Sequence, residues 1–127
     1  MAAITEQYKN TTSRIYLNHI REMVYNRRTL FVIQELAEEF ETETKPFLES
    51  LDRRIDEYTD EINRCYDLVE EVAKEIGTPG VLLWDHVRYN ETYDTIARTN
   101  HYDISTVKKY CRKARIALYD KLPVEYQ

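Results

Sequence analysis

Apolar residues repeat at alternating steps of three and four through Leu48, Leu51, Ile55, Tyr58, Ile62, Cys65, Val69, Val72 and Ile76, with Glu, Asp and Arg between them. This is a heptad pattern, and it predicts one long helix with a continuous apolar seam. Lys45-Pro46 suits its start and Gly77 its end. Upstream, Leu30, Ile33, Ala37 and Phe40 repeat the spacing, and Tyr16, Ile20, Met23 and Val24 mark apolar contacts on an earlier helix. Each stripe needs a partner. An antiparallel hairpin turning near Thr42 to Pro46 buries them within one chain. A parallel homodimer through Leu48, Leu51, Ile55, Tyr58, Ile62, Val69 and Val72 buries them between two. Tyr58 and Cys65 are poor residues for a two-stranded zipper, which favours the hairpin without removing the dimer.

Thr78-Pro79-Gly80 is the one strong breaker cluster, and Pro79 suits the first turn of a new helix running through Trp84 to about Tyr89. Leu82, Leu83, Trp84 and Val87 give that helix its apolar side, with Trp84 expected in the core. Asn90 to Thr92 caps a following helix with Tyr93, Ile96 and Ala97 on its apolar side, and Asn100-His101 turns the chain. Asp103 is placed to cap the last helix, on which Val107, Cys111, Ala114 and Leu118 share a face. The expected architecture is all-α: a helical hairpin or coiled coil over residues 1–77, then a three-helix head with a helix-turn-helix over 78–127. Two glycines and three prolines in 127 residues agree with an almost wholly helical chain.

Charge divides along the same line. The net charge is −5, yet residues 1–77 hold 10 basic against 17 acidic side chains, whereas residues 78–127 hold 8 against 6. Ser105, Lys108, Lys109, Arg112, Lys113 and Arg115 occupy the other side of the last helix, and no acid lies between Ile104 and Tyr119. A face of one sign is a footprint for phosphates, while an acidic remainder suggests a different partner.

Other chemistry finds little support in these residues. His19, His86 and His101 are scattered, without Cys or Asp at ligand spacing, and neither a phosphate-cradling glycine loop nor a nucleophile elbow is present. No enzymatic activity, metal or cofactor is expected. Cys65 and Cys111 read as reduced core thiols. No apolar run reaches the roughly 20 residues of a membrane span, so no membrane partner is expected and the protein is read as soluble and cytoplasmic.

The residues Thr92-Tyr93-Asp94-Thr95-Ile96-Ala97 and Asp103-Ile104-Ser105-Thr106-Val107-Lys108-Lys109, followed by Arg112-Lys113-Ala114-Arg115 and Ala117-Leu118, carry a resemblance. The head resembles the C-terminal DNA-binding region of bacterial sigma factors, and its arrangement looks like that of phage late-gene transcription regulators of the ArpU and RinA type. Two positions depart from the pattern: His101 stands where such turns usually carry glycine, and Tyr102 where they carry a small aliphatic residue. The resemblance implies that the last helix enters the major groove of double-stranded DNA by its first turns. Ile104 then meets a thymine methyl, Ser105, Lys108 and Lys109 reach base edges or nearby phosphates, and Thr106, Arg112, Lys113 and Arg115 hold phosphates. It also implies late-gene activation in a bacterial host cell, with RNA polymerase as a possible second partner.

Two alternatives stay open. One is a helical protein-interaction factor that binds a host or phage regulator and tolerates a degraded helix-turn-helix. The other is a small terminase subunit, against which the order of head and helices counts.

Overall fold

Helix α1 runs from Glu6 to Phe40 and α2 from Lys45 to Ile76 in the computed structural model, which describes residues 3–40 and 45–127. Three shorter helices follow, α3 (Thr78–Arg88), α4 (Tyr93–Asn100) and α5 (Ile104–Tyr119), and a 3-10 turn spans Val124–Tyr126. The fold class is therefore all-α. The two apolar stretches before residue 40 belong to a single 35-residue helix. The turn expected near Thr42 falls mostly outside the described residues, and Lys45-Pro46 form the first turn of α2.

The chain forms two compact units that do not divide at Gly77: one joins Met1–Asn18 to Cys65–Gln127, and the other is His19–Arg64. The second unit is a hairpin. Leu30 of α1 is buried with Leu51 and Ile55 of α2, and half-buried Leu48 and Tyr58 pack against the cluster. Polar contacts follow the same register, since Arg27 donates to Thr59 at 3.2 Å and Gln34 pairs with Asp52. Residue numbers rise on one helix as they fall on the other, so the pairing is antiparallel. Most of the α2 seam is covered from within the chain. Leu51, Ile55, Ile62, Val69 and Val72 are all buried, and Leu48 and Tyr58 are half-buried, within one chain. The stripe is thus covered within one chain, as the hairpin alternative has it, and the parallel homodimer through the same residues finds no support here.

In the other unit, α3, α4 and α5 pack mutually, with α5 in contact with both of the others. Leu82 and Leu83 from α3, Ile96 and Ala97 from α4, and Val107, Cys111, Ala114 and Leu118 from α5 form the interior. Each large aliphatic side chain fully withdrawn from water contributes about 1.5–3 kcal/mol, and these meet the core by the helical spacing read from the sequence. Trp84 is only half-buried. It packs edge-on against Tyr66 and Tyr89, with the Arg88 guanidinium over the Tyr66 ring at 4.9 Å.

Gly77 ends α2 with a positive φ of 71°, its amide bonding to the Ala73 carbonyl at 3.0 Å. At Gly80 the need for glycine is different. A Cβ there would lie 2.6 Å from the Ala73 nitrogen and 2.8 Å from the Val72 carbonyl carbon, so α3 meets the end of α2 backbone to backbone. Among the described residues no helix is long and apolar enough to cross a membrane.

Candidate nucleic-acid interface

The last two helices are joined by His101, Tyr102 and Asp103, and local hydrogen bonds fix that short link. Thr92 caps α4 by accepting from the Thr95 amide at 3.1 Å, as its position before Tyr93 requires. At the other end His101 adopts the left-handed conformation, φ 59° and ψ 40°. A residue with a Cβ pays roughly 1–2 kcal/mol for this region. The Asn100 side chain donates to the Ile96 carbonyl at 2.8 Å and the Tyr102 amide to Ala97 at 2.9 Å, so the strained residue is held by bonds on both sides. The missing glycine changes the energy of the turn without preventing it.

Asp103 occupies the N-cap of α5, as expected, but not in the expected manner. Its backbone carbonyl accepts from the Thr106 and Val107 amides, both at 3.1 Å, whereas its side chain makes no capping hydrogen bond. Its carboxylate still lies at the positive end of the helix and compensates the dipole there.

Along α5 the candidate residues separate by position. Ile104, Ser105, Lys108, Lys109 and Lys113 are exposed, and Thr106 is half-buried. Beside them Tyr102 and Tyr110 form an edge-on pair with ring centroids 5.7 Å apart. Further along, the first turns of α1 lie against the helix. Glu6 pairs with Arg112 at 3.7 Å, Lys9 with Asp120 at 3.4 Å, and the Tyr8 ring packs edge-on against Tyr119.

Arg115 is the clearest departure. Instead of facing solvent it is 7% exposed, with Nε donating to Asn10 Oδ1 at 2.7 Å and Nη1 to the Tyr93 hydroxyl at 3.2 Å. Its backbone carbonyl accepts from the buried Ser13 hydroxyl at 2.7 Å. A guanidinium so enclosed and so bonded is a structural link between α1, α4 and α5, and is removed from the set of phosphate contacts. Its spacing carried the signal: four residues after Cys111 and three before Leu118, it borders the buried stripe. Asn10 and Ser13 carried none, because nothing local in the first turns of α1 announces a partner a hundred residues away.

Between α3 and α4, His86 stacks on Tyr93 with centroids 4.5 Å apart and its Nδ1 donates to the Glu91 carbonyl at 2.7 Å. This fastens the end of α3 to the start of α4. Burial, reinforced by the Glu91 charge, raises the Asp85 carboxyl above its ordinary value. Burial also pushes the Cys111 thiol up to about 11, as befits an unreactive core cysteine. Among the described residues no group of three His, Cys, Asp or Glu side chains is placed to hold a metal ion.

Comparison with known proteins returned no match to a family model, a curated protein or a solved structure.

Proposed function

We propose that α4 and α5 act as a helix-turn-helix and that the protein is a DNA-binding transcription regulator. The observation that carries this reading is the start of α5, where Ile104, Ser105, Lys108 and Lys109 stand exposed and free of intervening acids after a three-residue turn. The first turns of such a helix are the part that enters the major groove. In this reading Ser105, Lys108 and Lys109 read base edges or grip nearby phosphates, Ile104 contacts a thymine methyl, and Thr106 and Lys113 hold the backbone. Arg112 joins them only by leaving Glu6. The biological role that fits is late-gene activation alongside RNA polymerase in the bacterial cytoplasm, for a phage or mobile element. It rests on the likeness of the head to sigma-type regulators.

The test is a salt titration of the protein on random duplex DNA, repeated with the Lys108→Ala/Lys109→Ala variant. Each phosphate contact contributes about 0.9 to the slope of log affinity against log salt, so two lost contacts flatten it by about 1.8. If the folded protein fails to bind at low salt, the DNA reading is wrong, and a helical interaction factor takes its place.

A further inference from the structure

α1 carries a second apolar stripe that the hairpin does not cover. Tyr25, Thr29, Val32 and Leu36 follow one another at steps of four, three and four, a heptad spacing of their own, on a different side of the helix from Leu30 and Ala37. Leu30 and Ala37 are buried, whereas Tyr25, Val32 and Leu36 are 46%, 50% and 47% exposed. Ile33, also exposed, widens the strip on one flank. Single exposed hydrophobics need no explanation, but a seam in heptad register does.

The charges beside this seam say what fits it. With Tyr25 and Val32 in one core position and Thr29 and Leu36 in the other, Arg28 and Glu35 fall one heptad apart on the same flank. In a parallel pair of such helices that flank meets the opposite flank of the partner, where Ile33 stands, and Arg28 finds no acid. In an antiparallel pair each flank meets its own equivalent, so Arg28 of one copy lies beside Glu35 of the other, twice. The apolar layers also match, with Tyr25 opposite Leu36 and Thr29 opposite Val32. A two-fold interface needs this self-complementarity, because one patch must serve both partners. Glu22 and Glu39 occupy the next seam positions outward, and in this register they face one another; that like-charge layer at each end stops the contact after four layers and keeps it weak.

We infer that the Tyr25, Thr29, Val32 and Leu36 face of α1 is a dimer interface, and that its occupant is the same face of a second copy in antiparallel orientation. The dimer is small and therefore concentration-dependent, and it does not depend on the DNA-binding reading.

Sedimentation equilibrium on the full chain tests it. The wild type should show a reversible monomer–dimer equilibrium, and Val32→Glu should be monomeric at every concentration with unchanged helical circular dichroism. Arg28→Glu and Glu35→Arg should each weaken the dimer several-fold, since each leaves like charges facing one another, while the double variant Arg28→Glu/Glu35→Arg should recover it. A wild type that stays monomeric into the millimolar range overturns the inference. So does a dimer that the single charge variants leave unchanged, or one that the double variant fails to restore. Because Arg28 and Glu35 are both exposed on α1, these charge variants keep the test decisive even if Val32→Glu were to disturb folding.

Discussion

The two ends of α5 are built from similar basic residues and do opposite things. At its start Lys108 and Lys109 reach into solvent, while near its end the buried Arg115 donates to Asn10 and Tyr93, and its backbone carbonyl accepts from the Ser13 hydroxyl of α1. The difference comes from the partner, since the first turns of α1 cover only the later turns of α5. It also comes from the side chain. A lysine ammonium is strongly hydrated and costly to enclose, whereas the planar arginine fork is less hydrated and satisfies several acceptors at fixed angles. A run of like charge is therefore not one surface, and its members have to be sorted by what lies opposite each.

The largest effect expected from this contrast is on stability. Arg115→Ala removes two side-chain hydrogen bonds from a charged group and leaves Asn10 buried without its partner. At about 1.5–3 kcal/mol per bond to a charged group, the loss is about 3 kcal/mol or more. Lys109→Ala should change stability by less than about 0.5 kcal/mol, as exposed substitutions usually do. Denaturant unfolding of the two variants measures the pair. Equal losses would mean that the ends of α5 are not distinct. Asn10→Ala should reproduce about half of the Arg115 effect, and a neutral result would show that the link lies elsewhere.

A smaller effect concerns Arg112, which sits at the border between the two ends. Its ion pair with Glu6 is solvent-exposed and worth little to stability, at about 0.2–1 kcal/mol. The same pair withholds a cation from any polyanion, so Glu6→Gln should free Arg112 with little loss of fold. If the start of α5 contacts DNA, this variant should bind more tightly and steepen the salt dependence by about 0.9. An unchanged slope would place Arg112 outside the contact.

These contrasts mark how far the sequence could be read. Heptad spacing located α2 and its buried seam, Pro79 and Gly77 marked the break, and the cap and small residues around Thr92, Ala97 and Asp103 outlined α4 and α5. All of these are local, within the reach of a few helical turns. The enclosure of Arg115 was not local, because it depends on Asn10 and Ser13, residues whose amide and hydroxyl look like ordinary surface chemistry until α5 lies against them. The make-up of the compact units depends on distant contacts in the same way. Composition changes sharply at Gly77, yet the start of α1 and the end of α2 are joined by long-range contacts to the head, as in the ion pairing of Lys121 with Glu71 at 3.6 Å and with Glu75.

The smallest effect expected tests the side of α5 that faces α3. The Asp85 carboxyl is raised first by burial and then by the nearby Glu91, and its charge also acts on the Cys111 thiol. The folded protein therefore holds this proton at pH values where the unfolded chain, titrating near 3.8, has released it. Stability falls as pH rises from that ordinary value through the raised one, and the loss is complete above it. Asp85→Asn removes the titrating group, so the variant should gain on the wild type as pH rises through this window and the two should converge below it. Thermal unfolding across the acid range reads the sign directly. A wild type that gains on the variant as pH rises would mean that the ionised carboxylate stabilises the fold, and that the α3 side of α5, like its exposed start, favours a charge in place rather than a neutral core.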